Sequence, residues 1–185
     1  MELGILASGN LGYNLIKKLI KSYKINFFST DFMSKKIIDF SKLNSTPIFV
    51  GNPRKNKLYN FLNNLSCDFV ISINYLFIIE KEVIKFPKFF SFNLHGSLLP
   101  KYRGRTPHVW AIINGEEKTG ITAHLIDLTV DSGDIIFQKE IKITNVDTGF
   151  TILEKFKNKY LMIINKVIDS FSQGNIKFKK KEIKK

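Results

Sequence analysis

Cysteine is almost absent from this sequence: Cys67 stands alone. One thiol can close no intramolecular disulfide and build no thiolate metal cluster. Its place just ahead of the apolar run 68–73 reads as a buried structural thiol rather than a nucleophile. Histidine is scarce too, with only His95, His108 and His124. No two of them share the spacing of metal ligands on one helix, and no carboxylates cluster with them, so no metal site is expected. Long hydrophobic runs are missing. The longest, 69–79, is broken by Ser72 and Asn74 and falls short of the ~20 residues a membrane helix needs. The opening Met1-Glu-Leu-Gly-Ile-Leu-Ala carries no basic leader. A cytoplasmic protein without a membrane segment is the expectation.

Acidic residues are also in short supply, 16 against 29 Lys and Arg, which leaves a formal charge of +13. Such an excess can mark a polyanionic partner. Here the last ten residues, 176–185, hold six Lys and one Glu, and the remainder is spread over Lys-rich segments. A bias toward Lys, Ile, Asn and Phe accounts for that distribution, and nucleic acid is not the expected partner. A basic RNA-binding protein remains the reading from a different functional class, and it predicts salt-sensitive RNA affinity without turnover.

What is present is an ordinary globular composition, with 44% hydrophobic and 24% charged residues over 185 positions. That suits one α/β domain, 1–175, followed by a basic tail, 176–185, either frayed or a short last strand. Residues 3–7 read as a buried strand. The turn Ser8-Gly9-Asn10-Leu11-Gly12 and an amphipathic helix to about Ser22 follow it, an order that opens many nucleotide-binding domains. Further strands are expected at 24–29, 47–50, 68–73 and 89–95, with helices at 55–65 and from a cap at Asp31 through Leu43. Strands alternating with helices predict parallel pairing. The second half predicts a helix at 105–114, strands at 119–127 and 134–143, and a long helix at 148–170. That last helix carries the apolar stripe Phe150, Leu153, Phe156, Tyr160, Ile163 and Val167.

The chemistry concentrates in Asn93-Leu94-His95-Gly96-Ser97-Leu98-Leu99-Pro100. Residues two apart on a strand point to one face, so Asn93 and His95 project together. They end a parallel strand, where open α/β sheets place ligands. An amide donor beside an imidazole suits acyl transfer, the amide holding a developing oxyanion while the imidazole moves protons. A carboxylate would orient that imidazole, and Asp127, Asp131 and Asp134 all compete for the place.

The stretch from Phe92 to Gln138 resembles the core of the 10-formyltetrahydrofolate-dependent formyltransferases. It has Asn-x-His, then Ser-Leu-Leu-Pro, then Asp-x-Gly with Asp131 lying 36 residues beyond His95. The resemblance implies a Rossmann-like α/β fold, with a mostly parallel central sheet flanked by helices and a short C-terminal extension. It implies Asn93, His95 and Asp131 as the catalytic residues, with Asp131 chosen among the three aspartates. The formyl donor is then 10-formyltetrahydrofolate, its pterin lying along Asn74, Tyr75, Leu76, Phe77 and Ile78, a stretch that as a plain sequence reads equally well as core. His124 sits where the family often has histidine and reads as a satisfied buried side chain. A homodimer is among the assemblies implied.

The run Tyr102-Arg103-Gly104-Arg105-Thr106-Pro107-His108-Val109-Trp110 is most similar to sugar N-formyltransferases, which act on nucleotide-linked amino sugars such as dTDP-4-amino-4,6-dideoxyglucose for O-antigen and lipopolysaccharide. Arg103 and Arg105 are suited to a pyrophosphate, with Lys101 as a further charge and His108 or an aromatic neighbour bordering base or sugar. The loop Ser8, Gly9 and Asn10 is the remaining substrate-contact candidate. It departs from the Ser-Gly-Asn-Gly-Ser-Asn phosphate loop of glycinamide ribonucleotide transformylases, the alternative acceptor class. By length, methionyl-tRNA formyltransferases, with their second domain, are expected to be excluded.

Overall fold

The computed structural model describes residues 1–180, so residues 181–185 of the basic tail lie outside it. Two compact units divide at Phe92/Asn93, inside one strand.

The first unit, Met1–Phe92, alternates strand and helix as the sequence predicts: β1 (Glu2–Ala7), α1 (Gly9–Leu19), β2 (Lys24–Thr30), α2 (Lys35–Leu43), β3 (Ile48–Val50), α3 (Lys57–Phe61), β4 (Phe69–Ile73) and α4 (Lys81–Ile84). The strands lie in the order β3-β2-β1-β4, all pairings parallel, with Ile5 opposite Phe28 on one side and Ile71 on the other. Leu3, Ile5, Phe28, Phe69 and Ile71 are wholly buried, as strands covered on both faces require. The chain's order reverses between β1 and β4, so the loops after these two strands open at a switch point. Cys67 is buried, which pushes its thiol up to about 12 and leaves it inert at neutral pH.

Two local expectations are corrected. The helix expected over 55–65 shortens to Lys57–Phe61, because Lys55 and Asn56 adopt left-handed backbone and receive the Glu80 carboxylate on their amides. Asp31 does not cap α2, whose N-cap is Ser34. It instead accepts from the Met33 amide at 2.8 Å and the Ser34 hydroxyl at 2.6 Å, closing the turn ahead of the helix.

In the second unit, β5 (Phe90–His95) leads to α5 (Pro107–Ile113), the antiparallel pair β6 (Lys118–Leu125) and β7 (Ile135–Lys142), and α6 (Gly149–Ser172). The strand order here is β5-β6-β7. A register shift between Ala123 and His124 interrupts β6 just before the loop to β7. Thr148 and Thr151 form a reciprocal capping box at the start of α6. The buried stripe of α6 is Ile152, Phe156, Tyr160, Ile163, Ile164, Val167 and Ile168. Phe150, expected within that stripe, is exposed, because Ile152 two residues on takes the inward position in the first turn. Of the basic tail, Lys179 makes an antiparallel bridge with Ile135. Among the described residues, no helix is long and apolar enough to cross a membrane.

Candidate active site

Alternation along β5 buries Phe92 and Leu94 on one face and turns Asn93 and His95 to the other. The β6–β7 loop brings Asp131 to the same face, its backbone in the left-handed region at φ 49°. Asn93 Nδ2 donates to Asp131 Oδ1 at 3.3 Å, and His95 Nδ1 lies 3.4 Å from Asp131 Oδ2. The three residues chosen in the sequence therefore converge within the second unit. Asp127 instead binds its own loop, through Thr129 N and Ser132 Oγ.

A fourth side chain joins them. His124, read as a satisfied core histidine, is buried, yet its Nε2 lies 3.1 Å from Asn93 Nδ2 and 3.4 Å from Asp131 Oδ1. The signal was in the sequence, since His124 sits one residue from the end of β6, where a strand hands its side chains to the loop carrying Asp131.

The ring tautomers follow from the partners. A carbonyl oxygen only accepts, so His124 carries a proton on Nδ1, which donates to Leu125 O at 2.7 Å. His95 likewise donates from Nε2 to Tyr102 O at 2.7 Å. Each ring turns its second nitrogen toward the Asp131 carboxylate, to which it donates whenever that nitrogen also carries a proton. Burial pushes the Asp131 carboxyl up, but the His124 hydrogen bond, the adjacent His95 imidazole and the Gly104 amide outweigh it, and together they hold it at about 2.

This lowered value sets a pH signature. The ordinary value is 3.8 and the folded one about 2, so the carboxylate's contribution is fully present above about pH 4 and is lost as pH falls through about 2. The contribution is about 2 kcal/mol. Denaturant unfolding at stepped pH is expected to show wild type losing its advantage over Asp131→Asn in that window. A constant gap down to pH 2 would contradict the assignment.

Comparison with known proteins decides the family. The formyl transferase family model matches residues 35–168, well over half of the chain. The chain belongs to the formyl transferase family. It is 35% identical over 187 aligned positions to the bifunctional polymyxin resistance protein ArnA of Wigglesworthia glossinidia brevipalpis, covering 95% of this chain and 28% of that protein. It is 33% identical to the methionyl-tRNA formyltransferase of Clostridium acetobutylicum, covering 88% of this chain and 56% of that one. The chain thus spans little more than half, or less, of these curated relatives. A sugar 3N-formyl transferase crystallised with dTDP and 5-N-formyl-THF superposes with a TM-score of 0.78 at 24% identity, covering 99% of this chain and 67% of that one. That likeness shows a shared fold.

The other candidate residues of this formyl transferase domain fall into two groups. In the first unit, Ser8 is 1% exposed, while Gly9 and Asn10 are exposed. The Gly9 amide, one of the donors a phosphate would use at a helix start, already donates to Ser34 Oγ at 2.8 Å, and Ser34 in turn donates to the buried Asp31. Asp31 is held below the usual carboxylate range: burial opposes this, and hydrogen bonds from Ser34 and Met33 prevail. A carboxylate relay therefore stands where an incoming phosphate would compete with it. Along the stretch after β4, Tyr75 turns inward to Ser29 Oγ at 2.7 Å, and burial pushes its phenol up to about 12. Leu76 and Ile78 face outward, 49% and 53% exposed; Phe77, half-buried, packs against Tyr75, and Asn74 Nδ2 donates to Ser8 O.

In the second unit, the loop expected to receive pyrophosphate is engaged with the protein itself. Lys101 pairs with Glu116 at 2.8 Å, and Arg103 Nε donates to Val130 O at 2.9 Å. Arg105 is exposed. His108 packs edge-on against Phe156, and burial holds its pKa below the ordinary histidine value. Trp110 is 52% exposed. Among the described residues, no group of His, Cys, Asp or Glu is arranged to hold a metal ion.

Proposed function

We propose that this chain is the catalytic domain of an N-formyltransferase that moves a formyl group from 10-formyltetrahydrofolate to the primary amine of a nucleotide-linked amino sugar. The observation that carries the reaction type is the convergence of Asn93 and His95 on the mostly buried carboxylate of Asp131. The new carbon–nitrogen bond forms at the amine, the bond to folate N10 breaks, and the amine proton ends on N10. Asn93 Nδ2 donates to the formyl oxygen as charge builds there, a contribution of about 3 kcal/mol for one such donor. His95, oriented by Tyr102 O and Asp131, takes on Nδ1 the amine proton that Asp131 passes to it, stabilises the same charge as an imidazolium, and gives that proton up to N10 as the carbon–nitrogen bond breaks. Asp131, ionised at neutral pH, accepts the amine proton as the nitrogen becomes a cation.

The donor fits the first unit's segment after β4. Leu76 and Ile78 offer an exposed apolar wall, and among the described residues the main chain of 75–79 makes no backbone–backbone hydrogen bond. A flat heteroaromatic with a hydrogen-bonding edge suits such a surface.

For the acceptor, the run 101–116 supports an amino sugar, with dTDP-4-amino-4,6-dideoxyglucose the best candidate and O-antigen or lipopolysaccharide assembly its setting. Exposed Arg105 and half-exposed Trp110 are the groups available for diphosphate and base. The self-occupied turn at Gly9 speaks against a phosphoribosyl acceptor. Methionyl-tRNA stands as the second reading, supported by the Clostridium acetobutylicum relative, of which this chain covers 56%; chain length carries no weight against it. Turnover with 10-formyltetrahydrofolate and a panel of two dTDP-amino sugars, glycinamide ribonucleotide and methionyl-tRNA tests the reading. Formylation of a dTDP-amino sugar, with kcat/KM at least 100-fold above the other amines, is expected. Activity confined to methionyl-tRNA or the ribonucleotide would replace the acceptor, and no turnover with any amine would remove the activity.

A further inference from the structure

We propose that Glu116, remote from Asn93, His95 and Asp131, is a positioning residue that holds His95 in its working tautomer through Tyr102. The inference rests on the formyl-transfer reading for its effect on rate, but not for its structural content.

The segment from Tyr102 to Thr106 is built unusually. Tyr102 at φ 59° and Thr106 at φ 50° are left-handed without being glycine, and Gly104 between them is at φ 95°. Side chains rarely adopt that region unless neighbouring contacts hold them there. At Tyr102 the contacts are explicit. Its phenol donates to Glu116 Oε1 at 2.8 Å and accepts from Asn114 Nδ2 at 3.1 Å. Glu116 is itself fixed just past α5, its amide donating to Ala111 O at 2.9 Å. Behind Tyr102, Ser97 Oγ donates to Lys101 O at 2.6 Å.

With the phenol anchored, the backbone of Tyr102 points its carbonyl at His95 Nε2, 2.7 Å away. The Asp131 carboxylate also only accepts, but it lies 3.4 Å from Nδ1, so the nearer carbonyl decides that the neutral ring keeps its proton on Nε2. The same loop sends the Gly104 amide to Asp131 Oδ2 at 2.8 Å and Arg103 to Val130 O, beside Asp131. Loop 101–106 thus grips both ends of the His95–Asp131 pair, and the Glu116–Tyr102 bond is its outer anchor. The Lys101–Glu116 ion pair, with Lys101 66% exposed, is too solvated to explain the arrangement alone. The part of Glu116 that matters is the acceptor it offers to the phenol.

The test compares Glu116→Ala, Tyr102→Phe, their double variant and Glu116→Gln, which keeps an acceptor for the phenol but no charge for Lys101. The deciding readout is the long-range 1H–15N spectrum of the His95 ring at a pH where it is neutral. Wild type and Glu116→Gln are expected to show the Nε2-protonated tautomer, while Glu116→Ala and Tyr102→Phe show a mixture. In turnover, both losses are expected to lower kcat by about tenfold, with KM for either substrate within about twofold. The double variant should be no worse than either single one, as for residues acting through one contact. An unchanged ring spectrum in Glu116→Ala and Tyr102→Phe overturns the proposal, whatever the rates. Should Glu116→Ala fail to fold, Tyr102→Phe asks the same question with a smaller change. If the enzyme turns over no amine at all, the formyl-transfer reading fails while the spectrum still decides the role of Glu116.

Discussion

Asp131→Asn is expected to lower kcat about 10³- to 10⁴-fold, the scale seen where a carboxylate orienting a catalytic imidazole becomes an amide, with folate and amine affinities little changed. The size follows from what the carboxylate receives. Oδ1 takes the Asn93 amide, and Oδ2 takes the Gly104 amide while facing His95 Nδ1. An asparagine must put an NH₂ group at one of those two places. Turned toward Gly104 it meets a backbone N–H, and turned toward Asn93 it meets a side-chain N–H, so either flip sets donor against donor. The charge is lost as well, and both His95 and His124 face that charge. A group held at about 2 in the folded protein is ionised wherever the enzyme would work; its amide can neither take the amine proton nor stabilise an imidazolium. Steady-state kinetics with separate kcat and KM measure this directly, and a variant within tenfold of the parent would take Asp131 out of the chemistry.

The strand ends were legible because they obey period-2 alternation. Asn93 and His95 could be placed on one face from spacing alone, and β5 puts them there. Their carboxylate was not legible that way. Three aspartates lie within eight residues of one another, and what separates them is loop geometry: Asp131 sits in left-handed backbone, while Asp127 closes its own turn. The resemblance chose Asp131 where periodicity had no purchase, and Asp131 is the aspartate that lies against Asn93 and His95. His124 shows a related limit. Burial was the right inference, at 2% exposure, but a buried imidazole needs partners, and those on hand are Asn93 and Asp131. The loop 101–106 shows the opposite limit. Its charges suggested a ligand, and only backbone dihedrals and the Tyr102–Glu116 contact, neither of them written in residue type, reveal that Lys101 and Arg103 have partners inside the protein. Along the stretch after β4, residue type was equally silent about which side chains turn inward, and Tyr75 does while Leu76 does not.

Gly133→Ala is expected to cost about 3 kcal/mol of stability, in the overpacking range, and to abolish turnover together with it, although residue 133 touches neither imidazole. A Cβ added there would lie 2.0 Å from Leu125 O and 2.7 Å from Leu125 C, both backbone atoms of β6 that cannot swing aside. Leu125 is held in place from two sides, its amide donating to Asp134 O at 2.9 Å and its carbonyl accepting from His124 Nδ1 at 2.7 Å. Making room for a methyl group means lifting the loop off the strand. That lift carries Asp131, two residues upstream, away from Asn93 and His95, and it draws Leu125 O from the ring it orients. The glycine of the Asp-x-Gly pattern is therefore required by a close approach of two backbones. Gly104 is the informative contrast. It has open space around its would-be Cβ but a φ of 95°, so Ala there meets strain of about 1–2 kcal/mol without a collision. Thermal and denaturant unfolding of both variants, beside their kcat, separates the two mechanisms. Gly133→Ala matching the parent in stability and rate would mean the loop yields freely, and Asp131 would then owe its position to loop 101–106 alone.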